Sequence, residues 1–145
     1  MRNNISVINV HKKNNIRSEV VTQLLYGDTF KKIKKKGIWI KIKNDNDNYK
    51  GYIKNNKFPK NQKNTHKICT VYSTLYSKPN SKKKIKRKLS FGSQIKVLKK
   101  EGSFYKFDNS WIHKKNLKKL NFKNENIFKY IKKFINIKYK WGGKH

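Results

Sequence analysis

The segment Leu24–Ile33, with the sequence LLYGDTFKKI, is repeated as LSFGSQIKVL at Leu89–Leu98. The same offset of 65 residues separates Gly37 from Gly102, and a deletion of six residues follows in the second copy. A fixed offset over this length is the mark of a duplicated structural unit, and it takes priority over local patterns. The sequence therefore predicts one small module that is present twice.

The length of the chain agrees with two small domains. Its 145 residues, of which 34% are hydrophobic and 13% aromatic, can build two small cores but not one large core. We predict a first module over residues 1–58, a linker over 59–64, a second module over 65–120, and a C-terminal segment over 121–145.

Each module contains short runs of β-branched and aromatic residues between turn residues, which predicts strands of a small β-barrel or sandwich. The run Asn44–Asn48 contains only Asn and Asp, and these residues favour a hairpin tip. In an earlier strand, before Gly37, alternation puts Phe30 and Lys32 on one face and Lys31 and Ile33 on the other. We predict that four apolar side chains of the first module fill its core: Phe30, Ile33, Ile40 and Ile42.

The pattern changes after the second module. Ile127, Ile131, Phe134 and Ile135 follow at helical spacing, and Asn124 precedes them as a possible cap. Lysines occupy the other side of this pattern. The sequence therefore predicts a C-terminal amphipathic helix of about three turns.

The net charge of +32 has two explanations. Only Arg2, Arg17 and Arg87 are arginines, alanine is absent, and Lys, Asn and Ile are abundant, so residues with AT-rich codons are over-used. Base-composition bias at tolerant surface positions explains this pattern without a function. A field of this size would nevertheless attract polyanions such as nucleic acid, anionic lipid surfaces or wall polymers. The densest basic patch is Lys82–Lys88.

The sequence gives few signals about compartment. Cys69 is the only cysteine, so no disulfide forms within the chain. Residues 1–15 lack the apolar core of a signal peptide, and no run is long enough for a transmembrane segment. As written, we expect a cytoplasmic protein, or a periplasmic or cell-wall protein if it is exported by other means.

The repeated motifs resemble those of bacterial SH3 modules. Each copy has a glycine followed by an apolar strand, then a Gly-x-aromatic step, then a closing aromatic-Ile pair. The motif residues are Gly27, Phe30, Gly37, Trp39, Tyr52 and Ile53 in the first copy and Gly92, Ile95, Gly102, Phe104, Trp111 and Ile112 in the second. The resemblance implies a mainly β fold with two tandem SH3-like β-barrels, followed by the C-terminal helix.

The end of the sequence extends this resemblance. Two such modules followed by Tyr139-Lys140-Trp141-Gly142-Gly143 resemble the N-terminal part of NlpC-type cell-wall peptidases of the dipeptidyl-peptidase group. In that family, this lead-in motif enters a papain-like domain and precedes the Asp-Cys-Ser motif with the nucleophile. The present sequence has only two more residues. The resemblance therefore implies that the catalytic Cys and His are missing from it.

No catalytic residue is predicted among those present. Cys69 has the apolar neighbours Ile68 and Val71, and a structural thiol in the first strand of the second module explains it better than a nucleophile. His113 corresponds to Lys54 of the first copy and is predicted to be a solvated polar residue. His11 and His66 are predicted in loops, without a carboxylate or cysteine at useful spacing.

We also predict no metal site and no cofactor. Asp45 and Asp47 are the closest pair of carboxylates, and the segment lacks the further acidic ligands of a calcium loop. A hairpin tip accounts for both residues.

Aromatic side chains are the candidates for ligand binding. Five of them come from strands expected to meet at the barrels: Trp39, Tyr49, Tyr52, Tyr105 and Trp111. Packing in the cores accounts for some of the aromatic residues. The resemblance implies that others contact wall peptides or cover a catalytic cleft.

Three functional hypotheses follow from the sequence. The first is a binding or positioning region of a peptidoglycan-peptide hydrolase, whose family cleaves the bond from γ-D-glutamate to a diamino acid. Its partners would be a cell-wall peptide or peptidoglycan fragment and a catalytic domain encoded downstream. The alternative is a basic SH3-like nucleic-acid-binding protein that uses Lys82–Lys88. The third hypothesis is a relic without a selected function.

Overall fold

The computed structural model describes residues 1–122, 134–135 and 142–144, and these form two compact units. The first unit contains residues 1–63 together with 142–144. The second contains residues 64–122 together with 134–135. Strands dominate both units, so the prediction of a mainly β fold is confirmed.

The first unit is built on one antiparallel five-stranded sheet with the order β2-β1-β5-β4-β3. The strands are β1 (Val7–His11), β2 (Val20–Leu25), β3 (Phe30–Lys36), β4 (Trp39–Asn44) and β5 (Lys50–Lys54). The predicted hairpin tip joins β4 to β5, and Asn48 there adopts a left-handed conformation with φ +60°. Asn tolerates this geometry better than most residues, because its short polar side chain can bond locally.

Alternation along the strands creates the first core. Ile40 and Ile42 of β4 and Ile53 of β5 are fully buried, and the rings of Phe30 and Phe58 meet edge to face with centroids 5.1 Å apart. The remaining members of this cluster are Val10 and Leu24. The predicted core positions of Phe30, Ile40 and Ile42 are therefore confirmed.

The prediction that Ile33 belongs to this core is wrong. Lys32 pairs with Ile42 and Lys34 pairs with Lys41, so Ile33 is an extra residue at a bulge in β3. A bulge interrupts the alternation of side chains along a strand. Up to Lys32 the pairing is regular, so Ile33 follows on the face opposite to the buried Phe30, and its side chain is 49% exposed.

The second unit contains a five-stranded sheet and a three-stranded sheet, with the orders β10-β11-β12-β7-β8 and β13-β6-β9. The strands are β6 (His66–Ile68), β7 (Tyr72–Tyr76), β8 (Lys84–Ser90), β9 (Gln94–Ile95), β10 (Lys99–Glu101), β11 (Phe104–Phe107), β12 (Ser110–His113) and β13 (Leu117–Lys119). A 3₁₀ turn, Lys114–Asn116, connects β12 to β13. Read from β8, the five-stranded sheet repeats the strand order of the first unit.

The buried side chains of the second unit also follow the repeat. Leu89, Ile95 and Ile112 are fully buried at the positions that Leu24, Phe30 and Ile53 occupy in the first core. Further buried apolar residues complete this core: Ile68, Leu75, Phe107 and Leu117. Residues that align in the sequence repeat therefore occupy equivalent packing positions, each within its own unit.

One strand glycine in the first unit is required by close packing. A Cβ on Gly51 would lie 2.6 Å from the His11 carbonyl oxygen and 2.6 Å from Val10 Cγ1. These distances are far below normal contact, so only glycine allows β1 and β5 to approach in this way. The second copy has Ser110 at the equivalent place in the sequence motif.

The prediction of a C-terminal amphipathic helix is wrong where the structure describes this segment. No α-helix occurs among the described residues, and Phe134 and Ile135 lie in a 3₁₀ turn and an adjacent turn. Phe134 contacts Phe91, with ring centroids 5.0 Å apart, but Ile135 is 62% exposed. The predicted cap and first apolar positions lie outside the described residues.

A short amphipathic pattern at residues 124–135 does not by itself make a helix stable. Isolated helices of about 12 residues are marginal in water even with favourable sequences. In the predicted helix, Lys129 would have Lys132 and Lys133 as neighbours, and like charges at this spacing destabilise a helix. In the described part of the chain, no helix has the length and apolar character needed to cross a membrane.

Candidate ligand-binding surfaces

The first surface lies on the face of the β1-β5-β4 sheet that is opposite to the first core. Lys41 pairs with Tyr52, which in turn pairs with His11, and Trp39 shares their face by alternation. The His11 and Trp39 rings meet edge to face at 5.7 Å, and the Lys41 ammonium lies 5.8 Å from the centre of the Tyr52 ring. We call these four residues the first aromatic face.

The accessible part of this face is Tyr52 with Lys41. Both side chains are half-buried, whereas Trp39 is only 8% exposed and His11 only 7%. The prediction that His11 lies in a loop is wrong, because it ends β1 and its Nδ1 lies 3.1 Å from the Ser18 carbonyl oxygen. Of the two predicted aromatic candidates here, Tyr52 is better exposed for ligand contact.

Tyr49 lies away from this face. It is 54% exposed, and its backbone N–H donates to Asp47 Oδ1 at 3.1 Å beside the hairpin tip. Trp39 pairs with Lys54 at the opposite end of the same hairpin. The structure therefore does not bring Tyr49 together with Trp39.

The second unit has an equivalent aromatic face. Trp111 pairs with both Lys106 and Tyr76, and Phe104 pairs with His113. The Tyr76 and Phe104 rings are 5.1 Å apart, and those of Phe104 and His113 are 5.2 Å apart. Sequence reasoning missed Tyr76, although it stands 65 residues after His11. Trp111 and Phe104 are each 8% exposed, so they act mainly in packing.

Tyr105 lines a separate groove of about 540 Å³ in the second unit. Its cross-strand partner is the fully buried Ile112, so Tyr105 occupies the core side of β11, where the first copy has Ile40. The Tyr105 and His66 rings meet at 5.7 Å, and Leu117 and Phe122 provide further apolar walls. A tyrosine at a core-side position brings a hydroxyl that needs polar surroundings, and the groove can provide them.

Lysines make this groove electropositive. Lys114, Lys118 and Lys119 line it, and the Lys100 ammonium lies 5.3 Å from the centre of the Tyr105 ring. Burial lowers the pKa of His66 from its ordinary value of 6.5, and the nearby charges of Lys100 and Lys119 lower it further. The groove therefore suits a ligand that combines an apolar group with a carboxylate or another anion.

His66 was also predicted in a loop and instead begins β6. The residues of the groove come from β6, β11 and the segment after β12, so no local motif could reveal the cavity. The exchange of Ile40 for Tyr105 at an equivalent core position was the one signal in the sequence.

The basic patch Lys82–Lys88 lies on the hairpin of β7 and β8. All six basic side chains in this range are exposed. Because β8 is an edge of its sheet, its lysines also discourage pairing with another strand. The lysines of β3, which is an edge strand of the first sheet, are exposed in the same way.

The structure gives the predicted non-catalytic cysteine a structural environment. Cys69 directly follows β6, is 8% exposed, and its Sγ donates to the Lys115 carbonyl oxygen at 3.8 Å. His113 caps the 3₁₀ turn by accepting the Lys115 N–H at 3.3 Å. Burial and the charges of Lys115 and Lys114 lower the pKa of His113. Each side chain therefore has a local structural role.

The predicted lead-in motif is only partly described. Tyr139 and Trp141 lie outside the described residues, whereas Gly142 and Gly143 lie in the first unit.

Asp45 and Asp47 belong to the hairpin between β4 and β5, as predicted. Within residues 1–122, 134–135 and 142–144, no group of three or more His, Cys, Asp or Glu side chains is placed to hold a metal ion.

Comparisons with known proteins agree with this fold. Residues 6–58 match the family described as Bacterial SH3 domain, so the first unit contains a bacterial SH3 domain. The fold is also similar to that of an NlpC/P60 family protein from Bacillus cereus ATCC 10987, with a TM-score of 0.65 and 14% identity. That alignment covers 81% of this chain and 55% of the other, so the present chain corresponds to about half of the solved one. No curated protein matches the sequence.

Proposed function

We propose that residues 1–145 are a tandem SH3 region that binds cell-wall peptides and positions them for an NlpC-type peptidase. The observation that carries this proposal is the fold similarity, which covers 81% of the chain. It therefore extends beyond residues 6–58, the part that matches the family. The common strand order of the two five-stranded sheets supports a second module built like the first. Such a role would place the protein in the periplasm or cell wall.

The groove around Tyr105 offers the chemistry that a wall peptide requires. A γ-D-glutamyl linkage leaves the α-carboxylate of glutamate free, and the lysines of the groove would attract that charge. The rings of Tyr105 and Phe122 would contact apolar parts of the peptide. Tyr52 and Tyr49 would provide contacts in the first unit, while Trp39 and Trp111 would support the aromatic faces by packing.

The affinity for a wall tripeptide, L-alanyl-γ-D-glutamyl-diamino acid, tests this assignment. Calorimetry should give saturable binding that Tyr105→Ala weakens at least about tenfold, equivalent to about 1.4 kcal/mol. Tyr72→Ala is the matched control, because this tyrosine is also on a strand of the second unit but outside the groove. Equal affinities of the two variants would contradict a role for the groove.

The proposed role does not include catalysis by these residues. The family resemblance implies attack by a cysteine thiolate, and the one cysteine present is buried beside Lys115. We therefore expect purified residues 1–145 not to release the diamino acid from a γ-D-glutamyl dipeptide. Saturable release that is abolished by Cys69→Ser would contradict this expectation.

Nucleic-acid binding is the second candidate, favoured by the exposure of all six basic side chains of Lys82–Lys88 on the β7–β8 hairpin. Changing Lys82, Lys83, Lys84 and Lys86 to Gln should reduce the salt dependence of oligonucleotide binding if this patch contacts phosphates. The matched control changes four exposed lysines of β3, an edge strand of the first sheet: Lys31, Lys32, Lys34 and Lys35. Equal losses from both sets would indicate only non-specific attraction.

A further inference from the structure

A short segment, residues 142–144, lies against β2 in the first unit. The backbone N–H of Lys144 donates to Gln23 Oε1 at 2.6 Å, and the Lys144 ammonium donates to Asp47 Oδ2 at 2.6 Å. Gly142 has φ +66°, and a Cβ there would collide with the Val20 carbonyl oxygen. The first unit thus accepts hydrogen bonds from both the N–H and the ammonium of Lys144, and it leaves no room for a side chain at residue 142.

The side chains that receive the segment are held by other contacts. Gln23 is 3% exposed, and its Nε2 donates to Asn9 Oδ1 at 2.8 Å, which directs its Oε1 toward Lys144. Thr22 is also 3% exposed, and its hydroxyl donates to Asp47 Oδ2 at 2.9 Å. A preorganised polar site of this kind loses little conformational entropy when it is occupied.

The ion pair in this site is partly shielded from water. The side chains of Lys144 and Asp47 are 32% and 22% exposed. Burial tends to raise the pKa of Asp47, but hydrogen bonds from Lys144, Tyr49 and Thr22 outweigh it and lower the pKa below 3.8. The carboxylate is therefore ionised at neutral pH and available to an ammonium group.

The neighbouring carboxylate has different partners. Asp28 is 5% exposed and accepts hydrogen bonds from the Leu25 N–H and the Asn46 amide, both at 2.8 Å. These donors use both of its oxygens. Of these two carboxylates, Asp47 is the one that accepts a hydrogen bond from the Lys144 ammonium.

We infer that Thr22, Gln23 and Asp47 form a binding site for a Gly-x-Lys peptide segment, which this chain fills with its own residues 142–144. The site takes a side-chain ammonium together with the main-chain N–H of the same residue. It requires glycine two positions earlier, where the segment approaches the backbone of β2. This inference goes beyond the proposed function and does not depend on wall-peptide binding.

Carboxyl titration by NMR tests the occupancy of the site by Lys144. Lys144→Gln should raise the pKa of Asp47, because it removes an ammonium donor from that carboxylate. It should also raise the pKa of Asp28, which the charge of Lys144 lowers. The matched control is Lys12→Gln, since Lys12 pairs with Glu19 at 2.9 Å in the same unit. An Asp47 pKa that is equal in the wild type and Lys144→Gln would overturn the inference.

Hydrogen exchange of the Lys144 amide tests the backbone contacts. In the wild type this amide should exchange at least about tenfold more slowly than in Gln23→Ala or Gly142→Ala. The pKa of Asp47 should rise in Gly142→Ala as well, although neither partner of the ion pair is changed. Equal exchange rates in all three proteins would also overturn the inference.

Discussion

Gly27 and Gly92 stand 65 residues apart and have nearly the same left-handed backbone, with φ values of +86° and +83°. Gly37 and Gly102 repeat the relationship, with φ values of +57° and +51°. Residues with a Cβ rarely adopt this conformation, and a β-branched side chain does so at the greatest cost. The two copies of the sequence therefore contain the same turns as well as the same strands.

We predict that Gly27→Val destabilises the first unit by about 1–2 kcal/mol or more, because valine disfavours positive φ. Gly27→Asn should cost less, since asparagine visits the left-handed region more readily. Urea denaturation monitored at NMR signals of β1 measures both effects. Equal stabilities of the Val and Asn variants would show that the turn does not impose this conformation in solution.

Ile40 and Ile33 provide a test of the corrected core. Ile40→Ala should destabilise the first unit by about 2–5 kcal/mol, because Ile40 is fully buried. Ile33→Ala should change the stability by no more than about 0.5 kcal/mol, since its side chain is at an exposed bulge. The same denaturation experiment measures both variants, and a larger loss from Ile33→Ala would contradict the register of β3.

Asp28 should give the first unit an unusual dependence on acid. Burial raises the pKa of its carboxyl above 3.8, against smaller opposite effects of hydrogen bonds and Lys144. The folded state then binds more protons than the unfolded state between 3.8 and the raised pKa, so stability falls as pH increases through that window.

The variant Asp28→Asn lacks this titration. Its stability relative to the wild type should therefore increase as pH rises from below 3.8 through the pKa of Asp28. Denaturation curves at a series of pH values check the direction of the change. A stability difference that is constant over this range would contradict the raised pKa.

The lysines of β3 should limit association through the edge of the first sheet. Changing Lys34 and Lys36 to Thr removes exposed charges and adds β-forming residues, which favours pairing with strands of other molecules. We expect light scattering to rise with protein concentration in this variant. Lys57→Thr with Lys60→Thr is the matched control outside the strands, and equal scattering by both variants would contradict the proposed role.

The repeat was the part of the sequence from which most of the structure could be predicted. Equivalent glycines, core residues and hairpins all lie at the expected offset, because each depends on local backbone geometry and alternation. Ile33 was assigned to the core from its apolar character, although alternation places it on the face opposite to the buried Phe30. The C-terminal pattern was overinterpreted, since a short amphipathic pattern requires a surface that the sequence does not specify.

The candidate sites were predictable to a smaller extent. Tyr52 and Tyr105 were identified as aromatic candidates, but the groove depends on His66, Tyr105 and Phe122 from distant parts of the second unit. The site for Lys144 likewise joins residues that are about a hundred positions apart in the sequence. Contacts over such separations are set by tertiary packing, so local motifs did not reveal them.

NMR chemical-shift mapping with the wall tripeptide at physiological salt tests the central proposal most directly. We predict saturable shifts of His66, Tyr105 and Leu117 around the groove, with little change at Lys82–Lys88. Screening at this salt concentration weakens the long-range attraction of anions to surface lysines, but it weakens contacts within a partly buried groove much less. Shifts that persist at this salt concentration therefore report a specific peptide site. The absence of peptide-induced shifts, together with saturable shifts of Lys82–Lys88 by an oligonucleotide, would contradict the account.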